Sequence, residues 1–392
     1  MARIVVLPYF ELIAPRIQSE VRALLEAGHD VKVYNWDRGG PYRELAEELD
    51  VEVERIRLRA PEKGLKTLPF LPFYYIKLAR RLERENFDVL HCTHFFMLPL
   101  CLLFRRKARI VYDAREMYSI DFQEYFPRPL SGLIRKTSEF LENKMIRKID
   151  CILTVDSAND FLADRYRKFN DKVVVLYNVP ELSGMPNGER VRELKRRYND
   201  KKILVYIGGL TKSKGLMKEL EAAKIIGERM NIKLLLIGRL KDSRKEALEY
   251  IEQNDLRDIV EFINWLPFNE MFSYLKVADV ALALHQPTGI YKFVSKGNGR
   301  KFFTYMQASL PIVAPEFGEV GQVVREEKCG VLVDTTNPEA IAEGITHLLE
   351  NPDEARAMGE RGGKAVEEKY NWEIEKRKLL QAYELLESGV DE

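Results

Sequence analysis

Residues 207–215, IGGLTKSKG, and 294–301, VSKGNGRK, each set glycines beside cations at the entrance to a helical segment. In the first, Gly208 and Gly209 end an apolar run, and Lys212 and Lys214 stand just before the next helix. Backbone N–H groups at a helix start, with an ammonium nearby, form an anion site. In the second, Gly297, Asn298 and Gly299 let backbone approach a ligand closely, while Arg300 and Lys301 add positive charge where the helix dipole is also positive. Taken singly, each reads equally well as a glycine-rich turn with solvated cations. Two such places in one half of the chain point to a ligand carrying a diphosphate. The spacing fits neither G-x-G-x-x-G nor G-x-x-x-x-G-K-[ST].

Other chemistries find less support. His91 and His94 occur in LHCTH, and in a continuing strand residues three apart face opposite sides, which favours structural or ligand-contacting roles over shared metal ligation. The chain has no D-x-D, H-E-x-x-H or paired-cysteine pattern, so no protein-built metal site is expected. The stretch 67–84, TLPFLPFYYIKLARRLER, mixes aromatics with a basic helical stripe. It reads either as an interfacial membrane helix or as a helix packed on its own core. Arg105, Arg106 and Lys107 add a small basic patch.

The elements that must hold these loops follow from periodicity. RIVVL, VKVY, DVLHC, RIVYD, CILTV and VVVLY alternate with helical stretches such as SEVRALLEAGH, the pattern of buried parallel strands between helices. A turn-rich, then charge-rich stretch at 183–200 reads as a linker, after which ILVYIG, KLLLIG, IVEFI, DVALAL, PIVAP and GVLVD repeat the alternation. The expected fold is α/β: two doubly wound Rossmann-like domains facing across a cleft, 1–182 and 201–370, with a terminal helix at 371–392 returning to the first. A length of 392 residues accommodates two cores.

The balance of 62 basic against 61 acidic residues argues against a nucleic-acid binder, so any anion site must be local. Cys92, Cys101, Cys151 and Cys329 lack paired spacing and read as reduced, buried thiols. MARIVVLPYF reads as a first strand rather than a signal peptide, and the apolar stretch 95–104 is too short to span a bilayer. Together these imply a cytoplasmic protein, with peripheral contact at the cytoplasmic membrane face through 67–84 on the interfacial reading.

As a set, these motifs resemble the family 4 (group 1) retaining glycosyltransferases of the GT-B fold. IGGLTKSKG is similar to the family's G-G/R-L…K-G donor loop, and KGNGRKFFTYMQASLPIVAP to its E-G-F-G…E-A-M-A-x-G-x-P-V-V-A segment. APRIQSEVRALLEAGHDVKVY, YDAREMYS and VVLYNVP resemble first-domain signatures, and CGVLVDTTNPEAIAEGITHLLENPD the family ending. The resemblance implies transfer of a sugar from a nucleotide-sugar cosubstrate to an acceptor hydroxyl with retention, without metal or further cofactor. It implies catalytic roles for Lys214, Lys296, Arg115 and Glu116, and diphosphate contacts from Gly208, Gly209, Lys214, Gly297, Asn298, Gly299 and Arg300. Ribose and base fall to Thr304, Arg239 and Leu266. The acceptor side, facing a glycan or lipid-linked acceptor, falls to Tyr9, Phe10, Arg16 and His94.

The chain departs from the family pattern at several of these places. Lys296 and Thr304 stand where the family has its two glutamates, Gly209 where many members have a phosphate-binding arginine, and Arg115 where they have histidine. Pro8, Tyr9 and Phe10 replace a glycine loop. A catalytically silent GT-B protein binding nucleotide, glycan or a partner enzyme is the alternative, and a sugar-nucleotide epimerase on the same fold is a third, less favoured reading.

Overall fold

The computed structural model of the chain describes all residues except 10–14, 40–50, 62–64, 116, 120–125, 127–129, 156–160, 183–185, 241–242, 289–290, 292–298 and 389–392. At 15, 65, 299 and 300 only the backbone is described. The chain divides into two compact α/β units, the first comprising Met1–Asp156, Asp160–Leu176 and Glu375–Glu392, the second essentially Tyr177–Ile374.

In the first unit β1 (Arg3–Leu7), α1 (Pro15–Glu26), β2 (Asp30–Asp37) and β3 (Glu52–Arg57) are followed by α2 (Leu71–Leu82), β4 (Val89–Cys92) and α3 (Leu98–Leu103). Then come β5 (Arg109–Ala114), α4 (Leu130–Ile146), β6 (Cys151–Thr154), α5 (Phe161–Arg167) and β7 (Val173–Val175). The strands pair in parallel in the order β3-β2-β1-β4-β5-β6-β7. Strand β4 is buried along its whole length because helices cover both faces of the sheet. β3, EVERIR, is missing from the strands expected on periodicity. It is an edge strand in which only Ile56 is buried, so charged residues dominate its sequence.

The second unit begins with α6 (Gly188–Arg197) inside the stretch 183–200 that reads as a linker. From Asn187 on, that stretch is packed: Leu194 is buried, the Asn187 carboxamide caps α6, and Arg190 donates to Tyr274 Oη at 2.6 Å. β8 (Lys202–Ile207), α7 (Leu216–Gly227), β9 (Ile232–Ile237), α8 (Arg244–Gln253), β10 (Val260–Ile263) and α9 (Phe268–Leu275) follow. β11 (Val280–Leu282), α10 (Gly299–Gln307), β12 (Ile312–Pro315), α11 (Gly318–Glu327), β13 (Gly330–Val333), α12 (Pro338–Glu350) and α13 (Pro352–Glu368) complete it. Its parallel sheet runs β10-β9-β8-β11-β12-β13. One face packs against α10 and α11 through Phe303, Met306, Val320 and Val324; the other packs against α7 and α12 through Leu220, Ile226, Ile341 and Ile345.

The final helix α14 (Trp372–Ser388) starts in the second unit, and from Glu375 onward it belongs to the first. Its Tyr383 hydroxyl lies 2.7 Å from His91 Nδ1. Among the described residues no helix is long and apolar enough to cross a membrane. In each sheet the strand order reverses once, at β1/β4 and at β8/β11, and in open parallel sheets ligands bind beyond the carboxyl ends of strands at such points.

Candidate active site

In the second unit, the loop after β8 and the start of α10 meet at the β8/β11 reversal. Gly208 leaves β8 at φ 131°, and the Lys301 side chain lies across it, so that a Cβ at position 208 would overlap the lysine's terminal atoms. The backbone conformation calls for glycine here, and a Cβ would push the flexible end of Lys301 aside. Gly238, at φ 141°, packs in turn against the Gly208 carbonyl. The strand-end pairing continues as Gly208 N donates to Ile237 O at 2.7 Å and Leu210 N to Arg239 O at 2.9 Å.

Lys212–Lys214 form a short 3-10 turn closed by Gly215 at φ 98°, which leads into α7. A Cβ on Gly215 would stand 2.8 Å from Leu284 Cβ, so the loop can rest on the end of β11 only with glycine there. Gln286 N donates to Ser213 O at 2.9 Å and fixes the same approach. His285, next to it, is buried and stacked on Tyr291 with ring centroids 5.5 Å apart. Burial, and then the ammonium charges of Lys214 and Lys301, push its pKa down to about 3.

The position of Lys301 is set by a residue that sequence reasoning missed. Tyr305 lies one helical turn further on α10, and its buried hydroxyl accepts from Ile207 N at 2.8 Å. The β8–β11 ladder ends at Val205↔Ala281, so Tyr305 takes the strand N–H beyond it and pins α10 to the end of β8. Residues i and i+4 share a helix face, which puts Lys301 over Gly208. The signal available in the sequence was the spacing K-x-x-x-Y in KFFTY.

Gly299 is the first residue of α10, while Lys296, Gly297 and Asn298 lie outside the described residues and the Arg300 side chain is not described. Thr304 is 2% exposed. Arg239 is exposed and Leu266 half-buried against the α10-side core; between β10 and α9 the indole of Trp265 is 71% exposed. Beneath the loop, Glu219 in the first turn of α7 is 1% exposed and neither carboxyl oxygen has a hydrogen-bond partner. Burial holds its pKa well above the carboxylate range.

In the first unit, Tyr9 and His94 come together at the carboxyl ends of β1 and β4, stacked with centroids 4.4 Å apart. The Arg38 guanidinium sits over the Tyr9 and Trp36 rings at 4.7 and 4.1 Å. The His94 ring accepts from Phe96 N at 3.2 Å, capping a short 3-10 turn, and burial keeps the imidazole neutral. Phe10 and Glu116 lie outside the described residues.

Arg16 is buried, donating to Glu20 Oε1 at 2.8 Å, Asp113 Oδ1 at 3.1 Å and Leu176 O at 2.9 Å. Arg115 pairs with Asp113 Oδ2 at 3.0 Å and donates to Thr93 O at 3.2 Å. Glu20, His91 and Asp113 bring ligand-type atoms within 4.8 Å of one another, a grouping the sequence did not signal. Two guanidinium groups already face its two carboxylates, so a divalent cation there would meet like charge. Burial and then the neighbouring Asp113 push Glu20 up to about 7, against the pull of Arg16, and His91 is pushed down to about 4 by burial.

Comparison with known proteins bears on the family and the fold. Residues 16–182 match Glycosyltransferase Family 4, and residues 188–365 match the group 1 glycosyl transferases. An uncharacterized glycosyltransferase of Methanocaldococcus jannaschii is 24% identical over 383 residues, covering 92% of this chain and 91% of that protein. Sucrose-phosphate synthase from Thermosynechococcus elongatus superposes with a TM-score of 0.75 at 17% identity, covering 99% of this chain and 100% of that one. HepE of Anabaena, solved in complex with UDP, superposes with a TM-score of 0.75 at 13% identity, covering 98% of this chain and 100% of its own. With two Rossmann-like units and both halves matched, the chain belongs to the family 4, group 1 glycosyltransferases of the GT-B fold.

Proposed function

We propose that this glycosyltransferase takes a nucleotide-sugar donor in its second unit and passes the sugar to an acceptor hydroxyl with retention of anomeric configuration and without a metal ion. The observation that carries the reading is the meeting of the loop after β8 with the start of α10, where the Lys301 side chain lies across Gly208. A nucleoside diphosphate is the anion that such a place at a β8/β11 reversal would hold. The UDP complex of HepE supports a uridine nucleotide as the first to test.

In the proposed reaction, the acceptor oxygen bonds to the anomeric carbon on the face from which the leaving group departs. The bond from that carbon to the phosphate oxygen breaks, and the nucleoside diphosphate leaves with the electron pair. The acceptor proton passes to a leaving phosphate oxygen, so no side-chain base is needed. Lys214, Lys301 and the amides at the start of α10 stabilise the charge that develops on the diphosphate, the task a metal performs elsewhere. Arg115 and Glu116 stay assigned to the catalytic side and Tyr9, Phe10, Arg16 and His94 to a glycan or lipid-linked acceptor. Arg16 and Arg115 would act there through the ion network that holds Asp113.

A silent binding protein is the second reading, favoured by one observation: Thr304, at the family's ribose-binding glutamate position, is buried and offers a single hydroxyl. Release of nucleoside diphosphate from a panel of nucleotide sugars, with and without EDTA, separates the two. The first reading expects EDTA-insensitive turnover that falls about 10²–10³-fold in Lys214→Ala. Diphosphate binding by calorimetry with no turnover on any donor would establish the silent reading instead, and an inverted anomer by NMR would overturn retention.

A further inference from the structure

Helix α4 is amphipathic in the wrong sense for a helix facing only water. Its inward stripe is Ser138, Glu142 and Ile146, and the Glu142 carboxylate is occupied inside by Tyr112 Oη at 3.0 Å, Tyr166 Oη at 3.1 Å and Arg165 at 2.6 Å. On the opposite side, at spacings of three, four and seven residues, stand Leu133, Lys136, Thr137 and Phe140, and Leu133 and Phe140 are 62% and 66% exposed.

The same holds on α2. Leu71, Tyr74, Leu78 and Leu82 fill its core side, yet Phe73 and Ile76 face outward at 61% and 52% exposure beside Arg80. On α3, Leu103 is exposed, and Arg105 and Arg106 follow it. These three helices lie on one face of the first sheet. Their inner residues Leu78, Cys101 and Ile146 join a single buried cluster, and Lys107 donates to Leu82 O at 2.9 Å across the α3–α2 junction.

We propose that the outer face of α2, α3 and α4 docks on an anionic lipid bilayer. The inference deepens the lipid-linked acceptor reading above and rests on it only for its biological purpose. Charge chooses the occupant. Within the three helices the basic side chains are Lys77, Arg80, Arg81, Arg135, Lys136 and Lys144, and the acids are Glu139 and Glu142. Arg81 is paired with Glu54 and Arg135 with Glu139, so the positive excess rests on Lys77, Arg80, Lys136 and Lys144. Glu142 is turned inward, and Glu139 is tied to Ser119 and Arg135. A second copy presenting the same face would bring like charges together, whereas anionic headgroups complement them and the exposed Phe and Leu side chains enter the acyl boundary. Lipid docking also accounts for both halves of the stretch 67–84: its inner stripe packs on the core and its outer stripe is interfacial.

Sedimentation of the full chain with phosphatidylcholine vesicles, with and without phosphatidylglycerol, tests the proposal without donor or acceptor present. The expected result is pelleting that requires phosphatidylglycerol and weakens about tenfold between low and high salt. The double variant Phe73→Glu, Phe140→Glu is expected to lose at least about tenfold in vesicle affinity. Leu248→Glu on α8, an exposed apolar position in the other unit, is expected to retain it. Circular dichroism and nucleotide binding verify that each variant is folded. Pelleting independent of phosphatidylglycerol, or undiminished in the double variant, overturns the proposal. So does a solution dimer that the same two substitutions dissociate. Failure in this assay leaves nucleotide-sugar turnover untouched, so it is distinguishable from failure of the transferase reading.

Discussion

Glu219 carries a buried carboxyl with no partner directly beneath the candidate donor loop, and its physical cost depends on pH. Burial raises its folded pKa above the ordinary value of about 4.3. Between those two values the folded state keeps a proton that the unfolded chain has released. Stability is therefore full below the ordinary value and falls as pH rises through the window, by about 1.4 kcal/mol per pH unit. Glu219→Gln removes that proton linkage while keeping the shape. The variant is expected to gain stability over the parent as pH rises above the ordinary carboxyl value, read as the difference in Tm between a pH below that value and neutral pH. An equal difference at both ends would mean that Glu219 titrates normally. At Lys301 the proximity to Gly208 gives the test: Gly208→Ala would both strain a φ of 131° and displace the lysine's end. Weaker diphosphate binding by about tenfold, through the loss of one charge-assisted contact, is the expected calorimetric result, and unchanged affinity would remove Lys301 from the site.

At the scale of elements, α10 packs on the sheet through Phe303 and Met306 and is tied to the end of β8 by the Tyr305 hydroxyl. Tyr305→Phe leaves Ile207 N buried without an acceptor, at a cost of about 1–3 kcal/mol in chemical denaturation. Because the same bond sets the register of Lys301, nucleotide affinity should fall with it, and a loss of stability with affinity intact would show that α10 is located by packing alone. This element also shows what the sequence makes legible. Runs such as KLLLIG and ILVYIG announce buried parallel strands because both faces are covered and nothing interrupts the apolar run. Glycine with lysine at the head of α10 marks a candidate anion site, and the structure brings Lys301 of that pair against Gly208. Tyr305, in contrast, reads as one more aromatic in an apolar helix, since its role depends on where β11 stops. Glu219 in KELEAAK reads as a solvated helix charge, because periodicity does not reveal that its side of α7 turns inward. The edge strand β3 is hidden for the converse reason, with a single buried residue among charges.

At the scale of the whole molecule, the chain contains separate cores: one cluster lies within the first unit, and two others, one on each face of the second sheet, lie within the second unit. The candidate diphosphate groups Gly208, Lys214 and Lys301 all belong to the second unit. A ligand that binds only the folded state stabilises the cooperative unit that holds it, by about 2.7 kcal/mol at a hundredfold excess over Kd. Scanning calorimetry of the full chain is therefore expected to resolve two transitions, of which UDP raises one. Deleting residues 375–392 gives the complementary change. These residues belong to the first unit, where Tyr383 meets His91 at 2.7 Å, so the deletion should lower the transition that UDP leaves alone. The buried His91 and Glu20 would then lose a neighbour, and a ring normally held neutral by burial would be opened to water. If UDP instead raised the same transition that the deletion lowers, nucleotide binding and the terminal helix would share one cooperative unit. The assignment of the diphosphate to the second unit alone would then fail.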